Sequence, residues 1–197
     1  SSFDGFKIVH ISDFHCGSFD NIEKVKYGIK MINDQRPDLI LFSGDMVNNM
    51  AKEILPWKEI IRSLDAPFGK FAVLGNHDYG DYIPWESETM KKENMNDLLS
   101  YLKEMGFQVL LNESKPIKKD QDEIALIGVE NWGAGGFKKN GDFDKASSDV
   151  KESMFKILLS HDPSHWQQKI IEHPTHVDLT LSGHTHGMQF GIEIPGW

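Results

Sequence analysis

The chain has 197 residues, 39% of them hydrophobic and 26% charged, the balance of an ordinary globular protein. Its formal charge of −9 argues against a nucleic-acid backbone as main partner, since phosphate contacts need clustered Lys and Arg, but it does not exclude a small phosphorylated substrate. The single cysteine, Cys16, excludes an intramolecular disulfide and a thiolate-built structural zinc site, and no apolar run approaches the ~18 residues of a membrane span.

Lys7 to Ser12 reads as a first strand. Ile22, Val25, Ile29 and Ile32 recur at helical spacing and stop before Pro37. Leu39-Ile40-Leu41-Phe42 is continuously apolar, as a strand covered on both faces must be. Trp57, Ile60, Ile61 and Leu64 mark a second helix, and Phe71 to Leu74 another strand. Leu98, Leu102 and Met105 mark a third helix, ended by Gly106. Val109–Leu111 and Ile124–Val129 read as strands separated by a polar turn region around Lys118-Lys119-Asp120. Phe155–Leu159 is a strand, a short helix runs from near Pro163 towards Glu172, Asp178–Leu181 is a strand, and Gln189–Ile194 is another. Tyr79–Met95 and Asn131–Ser148 read as irregular; they are either substrate-contacting lids or plain solvated loops. Strands alternating with helices predict an α/β protein, and ligand groups in such folds collect at the carboxyl ends of strands.

Five polar clusters follow these apolar runs: Asp13-Phe14-His15, Gly44-Asp45, Gly75-Asn76-His77-Asp78, Ser160-His161-Asp162 and Gly183-His184-Thr185-His186-Gly187. Asp13 and Asp45 are hard oxygen donors, His15, His161, His184 and His186 are imidazole donors, and Asn76 offers a neutral amide oxygen. A mixed N/O set points to Mn, Fe, Zn or Ni rather than Ca or Mg. Seven donors exceed what one tetrahedral cation takes and suit two, with one of His184 and His186 for each. Two cations ~3.5–4 Å apart can clamp a phosphoryl group and turn a bridging water into hydroxide near neutral pH. His77, adjacent to Asn76, is placed to protonate a leaving group or neutralise phosphoryl charge, with Asp78 orienting its ring. His10, His165, His173 and His176 lack such context and read as packing or surface residues; Cys16 reads as a small residue in a tight loop.

This order of motifs, from Asp13 to His186, resembles the calcineurin-like metallophosphoesterases. Ile11-Ser12-Asp13-Phe14-His15 and Leu181-Ser182-Gly183-His184-Thr185-His186-Gly187 resemble the bacterial branch, whose members often carry an amino-terminal membrane segment or export signal. That branch includes phosphodiesterases and enzymes acting on nucleotide-linked lipids. The resemblance implies a four-layer α-β-β-α sandwich with the site at one edge. It implies Asp13, His15 and His186 on one metal, Asn76, His161 and His184 on the other, and Asp45 bridging. It also implies His77 as acid or phosphate-facing group and Asp78 as its partner. The expected activity is hydrolysis of phosphate mono- or diesters, with a metal-bridging hydroxide as nucleophile. The substrate is a phosphorylated small molecule or a lipid-linked one. The alternatives are an idle metal-binding scaffold for protein partners and a DNA nuclease of the same superfamily.

The clusters span nearly the whole chain, so residues 1–197 are expected to form one catalytic domain. The chain opens on Ser1 without an initiator Met and stops at Trp197. It therefore reads as a fragment, with any membrane contact made through a segment absent from it. Family members continue past the Gly-His-x-His loop, so the second sheet is expected to be incomplete.

Overall fold

The computed structural model describes residues 1–186; Gly187, the strand expected at Gln189–Ile194 and the completeness of the second sheet lie outside them. Strands β1 (Ile8–Ile11), β2 (Leu39–Phe42), β3 (Lys70–Ala72) and β4 (Phe107–Val109) pair in that order as a parallel sheet. Strands β5 (Glu113–Lys119), β6 (Asp122–Gly128), β7 (Phe155–Leu159) and β8 (Leu179–Leu181) form a second sheet, with β5 antiparallel to β6 and the other pairs parallel.

Side-chain alternation along the strands builds four layers. From β2, Leu39 and Leu41 enter a core shared with Leu126, Ile157 and Leu159 of the second sheet. From the same strand Ile40 and Phe42 turn the other way, onto Ile29 of α1 (Ile22–Asp34), Ile61 of α2 (Lys58–Arg62) and Leu98 and Leu102 of α3 (Glu88–Glu104). On the far side, Ile127 and Leu158 pack on Phe143 and Ala146 of α4 (Phe143–Ser147) and on Ile170. Each large apolar side chain so buried stabilises by about 1.5–3 kcal/mol. The α-β-β-α sandwich is therefore present among the described residues, with its middle core made by alternate residues of both sheets.

Three elements depart from the sequence reading. Glu113–Lys119, taken as part of a polar turn region, is strand β5. It holds only one buried residue, Ile117, because its other face lies towards water, and it is an edge strand among the described residues. Pro116 is tolerated there because an edge strand need not donate every N–H to a ladder. Helix α3 begins at Glu88, inside the segment read as irregular. Ser87 caps it by accepting from the Met90 N–H, and five of its first seven residues are Glu, Met or Lys, good helix formers with no apolar stripe to reveal them. Helix α4, also in a segment read as irregular, is capped by Asp142 in the same way. The short helix expected after Pro163 is a π-helical turn at Trp166–Ile170.

Candidate metal centre

Every predicted donor follows a strand's carboxyl end by a few residues, and the hydrogen-bonding continues beyond the strands themselves. The N–H groups of Asp13, His15 and Cys16 donate to the carbonyls of Gly44, Asp45 and Met46 at 3.0, 3.1 and 2.9 Å, so the loops after β1 and β2 leave the sheet together. In the second sheet Gly183 N–H donates to the His161 carbonyl at 2.9 Å. The sheets are joined where His184 N–H donates to both Asp13 carboxylate oxygens at 3.1 Å and His161 Nδ1 donates to the Ser43 carbonyl at 2.7 Å.

Asp13, His15, Asp45, His184 and His186 all have positive φ, between 46° and 71°. Asp and His are among the residue types that tolerate this region, and the strain persists only where surroundings over-determine the backbone. Two glycines are required by contact. A Cβ on Gly75 would lie 2.2 Å from Asp45 Oδ1, and one on Gly183 would lie 1.8 Å from Ser12 Oγ.

The seven predicted donors come together. Asp45 Oδ2 lies 3.1 Å from His161 Nε2 and 3.6 Å from His15 Nε2. Asn76 Oδ1 is 3.1 Å from His161 Nε2. His15 Nε2 is 3.3 Å from His186 Nε2, which is 3.5 Å from Asp13 Oδ1. Three overlapping groups have ligand atoms within 4.8 Å of one another: Asp13, His15 and His186; His15, Asp45 and His77; Asp45, His161 and His184. Asp45 is common to the second and third, His15 to the first and second. Imidazole and carboxylate atoms converging in this way fit borderline divalent cations.

Electrostatics agree with that fit. Burial opposes protonation of His161, but the hydrogen bond and charge of Asp45, then Asp13 and the Ser43 carbonyl, outweigh it and raise its pKa. The same oxygens attract any positive charge placed between them. Because Nδ1 carries the proton given to Ser43, the neutral ring presents the Nε2 lone pair to the centre. Burial lowers the pKa of His15 and of His184, with neighbouring histidines adding to it and nearby carboxylates opposing. Neutral imidazoles are the ligand form.

His77 sits at the rim. Its backbone N–H donates to Asp45 Oδ1 at 2.9 Å, its Nδ1 donates to the Asn48 carbonyl at 2.8 Å, and its ring is 4.8 Å from that of His15. Asp78 is not its partner, which corrects the sequence expectation. The Asp78 carboxylate is buried and accepts N–H bonds from Gly75, Asp45 and Met46 at 2.9 Å and Val47 at 3.3 Å. Burial and the Asp45 charge push its pKa up to about 7, against the backbone donors that favour the carboxylate. It braces the two loops that carry Asp45 and Asn76.

Five residues near the proposed donors had no role assigned from sequence. Asn48 and Ser43 act through carbonyls, which no side-chain pattern reveals. Asp162 Oδ2 lies 3.6 Å from His184 Nε2, and it stood in the His161 cluster as a visible signal. Tyr82 lies in the segment Tyr79–Met95 read as irregular; its hydroxyl accepts from Asn76 Nδ2 at 2.7 Å and its ring is 4.5 Å from His77. From the other such segment, the Phe137 ring is 5.0 Å from His184. The remaining histidines have structural contacts: His10 with Ser43, His165 with Ser160, His173 with Asp144 and His176 with Asp178. Cys16 is buried against Met46.

The two-sheet α-β-β-α sandwich carries on one rim an Asp/Asn/His set that could hold divalent cations. The solved phosphopantetheinyl hydrolase of Mycobacterium tuberculosis has a similar fold, with a TM-score of 0.50 at 14% identity over 82% of this chain and 70% of that one. The calcineurin-like phosphoesterase family profile matches residues 6–188, and the chain belongs to that family. Among bacterial relatives it is 35% identical to an uncharacterized metallophosphoesterase, YkuE, of Bacillus subtilis over 98% of this chain. It is 29% identical to the UDP-2,3-diacylglucosamine pyrophosphatase LpxG of Chlamydia trachomatis over 97% of this chain. The chain spans 62% and 66% of the length of those two relatives. Among the described residues no helix is long and apolar enough to cross a membrane.

Proposed function

We propose that residues 1–197 form one catalytic domain that hydrolyses phosphate mono- or diesters at a pair of divalent cations. The observation that carries this reading is the convergence of all seven predicted donors, with Asp45 Oδ2 between His161 and His15. Asp13, His15 and His186 would hold one cation, Asn76, His161 and His184 the other, and Asp45 both. Bound there, Mn, Fe, Zn or Ni supplies Lewis-acid polarisation of phosphoryl oxygens and acidifies water.

The chain's own residues do the rest. With Nδ1 donating to Asn48, His77 keeps Nε2 for a phosphoryl or leaving-group oxygen, to which its imidazolium form gives up the Nε2 proton. Asp78 contributes by fixing the loops rather than by proton transfer. The pyrophosphatase relative supports a lipid-linked phosphorylated substrate.

Purified protein supplied with Mn2+ should turn over a generic aryl phosphodiester or aryl phosphomonoester. Asp45→Ala and His184→Ala should each lower kcat/KM by at least about 100-fold, since losing even an outer partner of a ligand costs 10- to 100-fold. Undiminished turnover in either variant overturns the reading.

A further inference from the structure

We propose that Tyr82 is a positioning residue of this centre: its hydroxyl holds the Asn76 amide with the oxygen inward, and its ring braces His77. The inference rests on the proposed cation site and adds to it a residue outside the ligand set.

Tyr82 is 50% exposed, so burial does not account for where it lies. Two specific contacts do. Asn76 is buried, and its amide must satisfy two ends. Oδ1 faces His161 Nε2 at 3.1 Å, and Nδ2 donates to the Tyr82 hydroxyl at 2.7 Å. A flipped amide would aim N–H at the position of positive charge. The acceptor that makes the correct orientation complete is the Tyr82 oxygen; without it a buried amide N–H is left unpaired. On the other side, the Tyr82 ring lies 4.5 Å from His77 with a 36° tilt. Asn48 holds the same imidazole by its edge at 2.8 Å. One side chain thus touches both a proposed ligand and the proposed proton donor, through different atoms.

That separation sets the test. Mn2+ titration by calorimetry and phosphodiester turnover at saturating Mn2+ would be measured on the full chain as wild type, Tyr82→Phe and Tyr82→Ala. Both variants are at a half-exposed position and should keep the fold, which circular dichroism checks. Tyr82→Phe should weaken one Mn2+ equivalent about three- to ten-fold, the worth of one net hydrogen bond, and keeps the ring against His77. Tyr82→Ala should weaken it equally and also lower kcat by about two- to ten-fold, the worth of the lost aromatic contact. Equal Mn2+ affinity in wild type and Tyr82→Phe overturns the amide role. Equal kcat in the two variants overturns the bracing of His77. A wild type that binds no Mn2+ sinks the proposed cation site and this inference with it, whereas normal wild-type binding with an unchanged Tyr82→Phe sinks this inference alone.

Discussion

The two halves of the centre differ in depth. Asp45, Asn76 and His161 are sealed from solvent, whereas the side chain of His186 is 36% exposed beside Asp13 and His15. The cause is topological. Asp45, Asn76 and His161 follow β2, β3 and β7, strands with neighbours on both sides; Asp13, His15, His184 and His186 follow β1 and β8, edge strands among the described residues, and His184, with its side chain 22% exposed, is the one of these proposed to join the inner set. The inner half is also the more heavily braced, through Ser43, Asp78 and Tyr82. A buried, pre-oriented donor set acts in a lower dielectric and needs less reorganisation, so it should hold charge more strongly than the open one.

Asp78 gives the largest test of that contrast. Asp78→Ala leaves buried N–H groups of Gly75, Asp45, Met46 and Val47 without their acceptor. It should lower unfolding free energy by about 3 kcal/mol or more, measured by denaturant or heat. A loss no larger than that of His186→Ala would remove the distinction between a braced and an open half.

His165 offers a pH-dependent test behind the inner half. It stacks on Trp132 at 5.2 Å and shares a hydrogen bond with Ser160, next to His161. Burial, aided by Lys169 and opposed by Asp162, pushes its pKa down to about 4. The folded ring thus stays neutral while the unfolded one takes a proton near pH 6.5. Its contribution is present above pH 6.5 and is lost as pH falls towards 4, by up to about 3 kcal/mol. Wild type should therefore lose more stability than His165→Gln over that interval, and parallel profiles would contradict it.

The smallest effect separates the halves directly. His161→Ala should weaken Mn2+ binding on the order of ten-fold more than His186→Ala, because attraction grows as the surroundings become less polar. Equal losses in calorimetric titration would show that depth does not set affinity here.

The seven proposed donors were legible because each is an Asp, His or Asn just past an apolar run. The architecture was legible in β2, whose four consecutive apolar residues require cover on both faces. The role of Asp78 was not. Its adjacency to His77 suggested a pair, but the two begin a 3-10 turn at His77–Tyr79. With about three residues per turn, successive side chains point in different directions. Strand β5 and the first turns of α3 were missed because exposed elements carry no apolar period. Tyr82 and Phe137 lie in segments read as irregular, and nothing local told which rings they would meet.

The order of residue types by itself determined the α/β class and the inventory of proposed donors, because polar segments behind buried strands emerge at the strands' carboxyl ends. Which donors lie together, and which half is deep, was decided only when the two sheets packed. Ser43 and His161 stand 118 positions apart in the chain, yet a 2.7 Å hydrogen bond joins them across the sheets. That contact depends on the middle core bringing β2 against β7, which no local pattern specifies.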